Sequence, residues 1–290
     1  MTFHVIPYSF YESGTTYFWV HFGLVILGFV VALATCIGQW VKPAPYGKHE
    51  REDPNWGPKI PQRLSHIISD ALTGIIMFSL VFFLYSREVA DKGVLNYVFY
   101  GLFLIHTLHR GLLHPLTMRY RSATVPIGIT IGGLLPNVLY QWLIANHIGV
   151  AGYDSSYPYD PRFLLGILLY VIGFVINRWA DWKLRSLREI KGQENHSSMI
   201  DGGGGGGGDG CNGYYIPYGG LFDLIACPNY FGELVQWIGW TLATWSLSGV
   251  VWTLFCAATF FARSRHNLQW YRDQFQHYPP NRKALIPFIF

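Results

Sequence analysis

The sequence predicts an all-α integral membrane protein, a bundle of seven transmembrane helices with its N-terminus outside and its C-terminus in the cytoplasm. Three observations carry this prediction. The chain of 290 residues is 51% hydrophobic and only 13% charged, whereas soluble domains carry roughly 25% charged residues. Seven apolar stretches approach the length that crosses a bilayer. Lysine and arginine are concentrated in alternate connections between these stretches.

The seven predicted spans cover residues 17–41, 64–85, 94–113, 124–146, 163–181, 230–245 and 249–262. The last two are short and closely joined, which favours a tight helical hairpin. When Arg110 and Arg178, in the last turn of the third and fifth spans, are counted with the connections that follow them, the numbers of Lys and Arg from the first connection to the tail are 5, 2, 3, 1, 5, 0 and 5. Cytoplasmic connections accumulate these residues, so the alternation indicates an outside N-terminus and a cytoplasmic C-terminus.

We interpret residues 1–290 as a single membrane domain. Residues 192–213 are predicted to be a flexible Gly-rich loop, and residues 263–290 a cytoplasmic tail. The glycine run 202–208 matches a dinucleotide fingerprint trivially, but no predicted strand precedes it and no helix follows directly, which favours a linker. The 4 cysteines are scattered without C-x-x-C spacing. This pattern indicates neither a zinc site nor a disulfide framework.

The sixth predicted span carries polar residues that indicate a functional site. Asn229, Glu233 and Gln236 are spaced i, i+4 and i+7, so they share one helical face. A carboxylate on an apolar helix is energetically expensive unless it faces the bundle interior, a partner or water. Glu233 is therefore expected to face other polar groups inside the bundle.

Four more spans carry polar residues at the same predicted depth, near the cytoplasmic side. These residues are Asp70, His106, His109, Arg110, Asn177, Asp181 and Arg263. Their shared depth favours one polar cavity that opens to the cytoplasm and is walled by apolar helices. A charged, water-soluble ligand would enter it from the cytoplasm, and a lipid would enter it from the membrane.

Several of these residues also allow simpler interpretations. Asp181 is near Lys183 and is compatible with a solvated helix end. The pair His106-x-x-His109 has metal-ligand spacing, but membrane di-iron enzymes need several such boxes and the chain has one, so no metal is predicted. Asn137 and Gln141 in the fourth span are compatible with hydrogen bonds between helices. Close helix approach is the interpretation for three glycines of that span: Gly128, Gly132 and Gly133.

Motifs distributed from the first connection to the last residue resemble those of the membrane steroid 5-alpha-reductases. The tail Tyr278-Pro-Pro-Asn-Arg-Lys-Ala-Leu-Ile-Pro-Phe-Ile-Phe290 is the most specific of them. The others are Pro45-Tyr-Gly-Lys-His49, His106-x-x-His-Arg110, Pro115 with Met118-Arg119, Gly219-Gly-Leu-Phe222, Asn229-x-x-Gly-Glu233, Trp237-x-Gly239 and Ala243-Thr-Trp-Ser246. The resemblance covers nearly the whole chain.

This resemblance implies a seven-helix bundle that binds NADPH in a cytoplasm-facing cavity. Hydride would pass from the nicotinamide to the β-carbon of an enone, in this family a 3-oxo-4-ene steroid. The cofactor-binding residues carried over from the family are Lys48, Arg110, Arg121, Asn177, Asp181, Arg185, Arg188, Tyr214, Asn229, Glu233, Arg263 and Tyr271. Arginine suits the pyrophosphate and the 2′-phosphate, while amides and carboxylates suit the carboxamide and the ribose hydroxyls.

The substrate side departs from the family pattern. Asp70 stands in place of a glutamate, Ser69 in place of a glutamine and Thr107 in place of a tyrosine that bonds the substrate ketone. A tail histidine of the family corresponds to Asn267. The predicted catalytic residues are Asp70, which would stay protonated in an apolar pocket and polarise the carbonyl, with Thr107 or His114 assisting.

The first functional hypothesis is therefore an NADPH-dependent 3-oxo-5-alpha-steroid 4-dehydrogenase. The alternatives are a reductase of another membrane enone or enoyl lipid, such as a polyprenoid or an enoyl thioester, a methyltransferase that uses S-adenosylmethionine, and a non-catalytic sterol-binding protein. The expected partners are a steroid or similar lipid and membrane lipid, with no nucleic acid, and a monomer is expected. The expected location is the endoplasmic reticulum in a eukaryote and the inner membrane in a bacterium.

Overall fold

The computed structural model describes residues 13–84, 92–120, 122–200, 210–211 and 214–290. For residues 190–200 and 210–211 it describes the backbone alone. Arg121, predicted to bind the cofactor, and the glycine run 202–208 lie outside the described residues. The described chain is mostly helical and has little sheet, in agreement with the predicted all-α class.

Each predicted span contains a helix, although the first three residues of the fourth, 124–126, form a strand. The helices are α1 (Thr16–Val41), α2 (Gln62–Phe83), α3 (Val94–Leu108, continuing through His109–Leu113 and His114–Thr117), α4 (Ile127–Val150), α5 (Pro161–Ile200), α6 (Pro228–Thr244) and α7 (Leu247–Gln274). Helices α5 and α7 continue well past the predicted ends at 181 and 262. The predicted spans end where charged residues begin, because hydropathy falls there. The helices continue because their backbone hydrogen bonds do not require apolar side chains.

Five helices of the described chain are long and apolar enough to cross a membrane: Thr16–Val41, Gln62–Phe83, Ile127–Val150, Pro161–Glu189 and Leu247–Gln274. Helix α1 exposes large apolar side chains, among them Val30 at 55% and Leu33 at 63%, which suits contact with lipid. Helix α6 has only 17 residues, and α3 changes its helical geometry along its length. Seven crossings and the orientation of the termini stay predictions.

Two short antiparallel pairs of strands lie in the loops between the helices. Strand β1 (Lys59–Pro61) pairs with β2 (Thr124–Pro126), with Ile60 opposite Val125. This pair ties the loop before α2 to the loop before α4. Strands β3 (Gly210–Cys211) and β4 (Tyr214–Tyr215) form the second pair.

The hairpin of α6 and α7 is closed by two residues. Trp245 adopts a left-handed conformation with φ of 46°, and the Ser246 side chain then caps α7 by accepting a hydrogen bond from the Gly249 backbone N–H at 3.0 Å. The tight connection is therefore confirmed. Of the two helices that it joins, α7 is longer than predicted, because it reaches Gln274.

The closest helix contact is between α5 and α6. A Cβ atom added at Gly173 would lie 2.3 Å from the Gln236 backbone N, and one added at Gly232 would lie 2.5 Å from the Asn177 backbone N. Small residues at an interface let two membrane helices approach backbone to backbone. The contact brings Asn177 of α5 directly beside Glu233 of α6.

The glycines of α4 behave differently from one another. A Cβ added at Gly128 would lie 2.9 Å from the Trp56 ring, and one at Gly133 would lie 3.2 Å from the Ser69 side chain. At Gly132 nothing lies within 4 Å, because this residue borders a cavity. The interpretation of close approach is therefore wrong for Gly132, since space on one helix face depends on the neighbouring helices.

Two helices change geometry where they meet. Residues Ile67–Met77 of α2 and His109–Leu113 of α3 are π-helical, a geometry that is frequent at functional sites. They touch at Gly111, where an added Cβ would lie 2.7 Å from the Ala71 backbone N. Asp70 and Arg110 are the immediate neighbours of these two contact residues, so the π-helical contact places both at one cavity.

Candidate active site

A cavity of about 570 Å³ lies among α1, α2, α3, α4, α6 and α7. Its volume is in the range of small-molecule sites, roughly 300–1,000 Å³. Its aromatic walls are Phe103, Trp237, Trp252, Phe255 and Phe260. Its polar side chains include His66, Asp70, His106, Thr107, Arg110, Asn137, Gln141 and Glu233. Such a lining suits a flat apolar ligand that carries a few polar atoms.

Asp70 is held on the cavity wall by two donors. Asn137 Nδ2 donates to Asp70 Oδ1 at 3.0 Å, and Ser69 Oγ, whose hydrogen is shared with the His66 backbone carbonyl at 3.3 Å, donates to the same oxygen at 3.2 Å. Asn137 also donates to the Ser69 backbone carbonyl at 2.9 Å. The predicted helix-to-helix bond of Asn137 is therefore present, and it orients the carboxyl group of Asp70.

Thr107 lines the same cavity, but its hydroxyl hydrogen is directed to the backbone. Thr107 Oγ1 has the carbonyls of Gly74, Phe103 and Leu104 as acceptors, each at 3.1 Å. A hydroxyl has one hydrogen to donate, and here every acceptor bonded to it is a main-chain oxygen. In this geometry the hydroxyl hydrogen of Thr107 is bonded within the protein, and its predicted assisting role stays a prediction.

His114 lies in a different environment from Asp70 and is not among the cavity-lining residues. Its Nδ1 is 3.3 Å from Asp181 Oδ2, and both side chains are largely buried. Asp181 is therefore a paired carboxylate of the bundle interior. Of the three predicted catalytic residues, Asp70 and Thr107 line the cavity and His114 does not.

A polar cluster joins α5 to α6 beside the cavity. Asn177 Nδ2 donates to the Asn229 backbone carbonyl at 2.7 Å and approaches Glu233 Oε2 at 3.4 Å. Asn229 Nδ2 donates to Asp181 Oδ1 at 3.2 Å. These contacts confirm that the polar face of α6 points into the bundle.

Glu233 belongs to both the polar cluster and the cavity. Its Oε1 is 3.9 Å from His106 Nε2, and the other nitrogen of that ring, Nδ1, is 3.1 Å from Gln236 Nε2. Arg110 lies within electrostatic range of Glu233, Asp70 and Asp181. One half-buried cation thus lies within range of carboxylates on three helices.

A second cluster consists of three cations packed against aromatic rings. Lys48 Nζ is 4.1 Å from the centre of the Tyr271 ring, and Arg188 Cζ is 5.5 Å from that of Tyr214. Arg263 Cζ is 3.9 Å from the centre of the Tyr46 ring. In the described part of the chain, none of these three cations forms an ion pair with a carboxylate.

Arg263 has unsatisfied donors. It is 4% exposed, and its Nε and Nη1 are buried without a hydrogen-bond partner among the described residues. Burial, assisted by the charges of Arg188 and Arg263, lowers the pKa of the Lys48 ammonium to about 8. Arg263 is thus a buried cation with unpaired nitrogens beside two half-buried cations, Lys48 and Arg188, and this group suits an anion.

The remaining predicted cofactor residue of the described chain, Arg185, is half-exposed. Its Nη2 is 3.9 Å from Glu189 Oε1, which Arg119 approaches at 2.9 Å. The possible metal pair His106 and His109 has no third ligand, because no group of three or more His, Cys, Asp or Glu in the described ranges could hold a metal ion.

Sequence reasoning missed His66 and underestimated Gln141 on the cavity wall. His66 precedes Asp70 by four residues, and its Nδ1 is 3.9 Å from Asp70 Oδ2. The i, i+4 spacing was the available signal. Gln141 Oε1 is buried and has no hydrogen-bond partner among the residues described.

The fold and this site define a helical membrane protein with a deep, mostly aromatic cavity that adjoins buried polar and cationic clusters. A family model of 3-oxo-5-alpha-steroid 4-dehydrogenase matches residues 208–290. The chain is 34% identical over 278 residues to "Steroid 5-alpha-reductase DET2" of Gossypium hirsutum, covering 93% of this chain and 97% of that protein. It is 33% identical over 271 residues to "3-oxo-5-alpha-steroid 4-dehydrogenase 1" of Rattus norvegicus, covering 92% and 94%.

The DET2 protein of Arabidopsis thaliana is 31% identical over 256 residues, covering 85% of this chain and 88% of its own. The chain belongs to the steroid 5-alpha-reductase family, a family of oxidoreductases. The resemblance identified from the sequence motifs is confirmed.

Proposed function

We propose that this protein reduces the 4,5 double bond of a 3-oxo-4-ene steroid with NADPH as the hydride donor. The observation that carries this proposal is the position of Glu233. This carboxylate lines the aromatic cavity and also contacts Asn177 in the polar cluster. A substrate in the cavity and a cofactor on the polar cluster would therefore meet at Glu233.

The residues present fit NADPH. Lys48, Arg188 and Arg263 offer the charge that phosphates require, and two nitrogens of Arg263 have no partner within the described chain. Asn177, Asp181, Asn229 and Glu233 offer the amides and carboxylates that bind ribose hydroxyls and a carboxamide. A cofactor without phosphates, such as S-adenosylmethionine, would leave the cationic cluster without a counter-charge, which disfavours the methyltransferase alternative.

When bound, NADPH supplies the hydride, and the protein supplies orientation and polarisation. Negative charge develops on the carbonyl oxygen of an enone as its β-carbon is reduced. A hydrogen-bond donor aimed at that oxygen lowers the barrier. Asp70 and its neighbours form the polar group of the cavity wall on α2 that is suited to this task, while Arg110 balances the surrounding carboxylates.

Thr107 favours a second candidate, a reductase of another membrane enone or enoyl lipid. The tyrosine that bonds the ketone in related enzymes is absent, and the Thr107 hydroxyl is bound to backbone carbonyls. The space left by the smaller side chain would accept a differently shaped lipid. Both candidates share the cofactor and differ only in the substrate.

The rest of the organisation is also proposed here. We place the N-terminus outside and the C-terminus in the cytoplasm across seven crossings, in one domain and as a monomer. The support is that Lys48, which follows α1, lies near Arg188 of α5 and Arg263 of α7, two arginines that come after the predicted apolar spans of those helices. The membrane would be the endoplasmic reticulum in a eukaryote and the inner membrane in a bacterium.

The test is NADPH oxidation by the purified protein in detergent, with and without testosterone or progesterone. Steroid-dependent oxidation with the saturated product in the mass spectrum is the expected result. Binding of NADPH without turnover of either steroid would move the assignment to another enone lipid. Failure to bind NADPH would overturn the proposal as a whole.

The pH dependence of cofactor binding provides a second prediction. The pKa of Lys48 is lowered to about 8, so the free protein loses this charge as the pH rises through that value, while bound phosphates favour the charged form. We expect the Kd for NADPH to be about tenfold higher at pH 9 than at pH 7, because one unit above the pKa about one lysine in ten is charged. Fluorescence titration without steroid measures it.

Two matched variants test whether Lys48 is the group that causes this pH dependence. Lys48→Arg is expected to flatten the pH dependence, because arginine keeps its charge at pH 9. Lys59→Arg is the control, since Lys59 is a surface residue whose side chain is 44% exposed and pairs with Glu50. An equal affinity of the unmodified protein at pH 7 and pH 9 would remove Lys48 from the phosphate site.

A further inference from the structure

We infer that His66 is the group that donates a proton to the carbonyl oxygen of the substrate, and that Asp70 is the residue that positions and charges it. This inference rests on the proposed reductase function. It replaces Thr107 and His114, the two assisting residues expected from the sequence, with a residue that the cavity itself contains.

The geometry of Asp70 is the first argument. Both hydrogen bonds that the carboxyl group accepts from Asn137 and Ser69 reach Oδ1. The second oxygen, Oδ2, is directed towards His66 Nδ1 at 3.9 Å. Catalytic hydrogen bonds are often long before the substrate binds and shorten in the complex. The arrangement is that of a histidine oriented by a carboxylate.

The position of His66 is the second argument. The ring lines the cavity, and its side chain keeps 20% exposure. Because Nδ1 is directed at Asp70, Nε2 lies on the opposite side of the ring. The Tyr120 ring stacks on the His66 ring, with centres 5.5 Å apart and planes inclined by 18°, and this contact limits rotation of the imidazole.

Two alternative donors on the cavity wall, His106 and Thr107, have partners of their own. His106 is 4% exposed at its side chain and is contacted at both nitrogens, by Gln236 and Glu233. The hydroxyl of Thr107 is bound to main-chain carbonyls. His66 is consequently the cavity histidine whose second nitrogen has no hydrogen-bond partner among the described residues.

The proton balance follows from the pair. His66 and Asp70 together hold one proton between Nδ1 and Oδ2, and in that state Nε2 carries a hydrogen. When hydride has added to the β-carbon, the electron pair of the former double bond is delocalised as an enolate, and Nε2–H protonates its oxygen. The resulting enol takes a proton from water at its α-carbon and returns its O–H proton to Nε2. The net change is uptake of one hydride and one proton.

The kinetic test compares His66→Gln, Asp70→Asn and the double variant. We expect His66→Gln to lower kcat by about 100-fold, within the usual contribution of a general acid, with KM for NADPH unchanged and KM for the steroid within about threefold. The kcat of the double variant is expected to lie within about threefold of the kcat of Asp70→Asn, because the two residues act as a unit. His277→Gln changes an exposed tail histidine and is the control.

A spectroscopic test does not depend on turnover. The ultraviolet absorption of an enone shifts to longer wavelength when its carbonyl accepts a strong hydrogen bond. With NADP⁺ present and testosterone bound, the unmodified protein is expected to show the shift, and His66→Gln is expected to bind the steroid without it.

The outcomes are distinguishable from a failure of the proposed function. Turnover by His66→Gln at more than half the unmodified rate, or an unchanged shift, overturns the role of His66 and leaves the reductase assignment in place. A bound enone that shows no shift in the unmodified protein also overturns it. An unmodified protein that neither binds nor reduces the steroid overturns the proposed substrate and this inference together.

Discussion

Glu233→Gln is expected to reduce kcat/KM for NADPH by about 100-fold, which corresponds to roughly 2.7 kcal/mol. The carboxylate contacts Asn177 at 3.4 Å on one side and His106 at 3.9 Å on the other. Glutamine preserves the shape but removes the charge. The half-buried Arg110 then loses one of the three carboxylates in its range, and removing one partner from charges inside the bundle is unfavourable.

Steady-state kinetics and a separate NADPH titration distinguish binding from catalysis in this variant. Glu233→Asp keeps the charge on a shorter side chain and is expected to retain an intermediate activity. Asp154→Asn removes an exposed carboxylate from the described chain and is the matched control. If Glu233→Gln kept activity within about threefold of the unmodified protein, the junction of cofactor and substrate would have to lie elsewhere.

Gly232→Ala is expected to have the largest effect on stability. The new Cβ would lie 2.5 Å from the Asn177 backbone N and 2.8 Å from the Gly173 carbonyl oxygen. These are backbone atoms of α5, so the two helices must separate. Overpacking at this position is expected to destabilise the fold by about 3 kcal/mol, which lowers the apparent Tm by about 6–12 °C.

The same change is expected to abolish activity, because Asn177 and Glu233 are on the two helices that would be pushed apart. Thermal unfolding in detergent measures the stability effect, and NADPH binding measures the loss of the site. Gly101→Ala is the control, since nothing lies within 4 Å of a Cβ added there and alanine favours a helix. A Gly232→Ala protein as stable as Gly101→Ala would contradict the backbone contact.

The membrane class and the positions of the helices were predictable because they depend on local composition. An apolar run needs no partner to be recognised, and each of the seven runs became a helix. The polar face of α6 was predictable for a similar reason: Asn229, Glu233 and Gln236 repeat with the period of a helix. Charges that interrupt an apolar span must face inwards whatever the neighbours are.

The helix ends were less predictable. α7 extends from the predicted end at 262 to Gln274, and α5 extends past 181 to Ile200. Hydropathy reports the change of environment along a helix, but the hydrogen bonds of the backbone continue across it. The end of an apolar run is thus a different property from the end of a helix.

By itself, the sequence determined that this is a helical membrane protein of the steroid 5-alpha-reductase family with buried polar groups on several helices. Only the tertiary structure decided which of these groups meet. Thr107 bonds backbone carbonyls, His114 pairs with Asp181, and His66 faces Asp70. The physical reason is that π-helical turns in α2 and α3 and the glycine contact between α5 and α6 set the rotation and separation of helices that are distant in the chain.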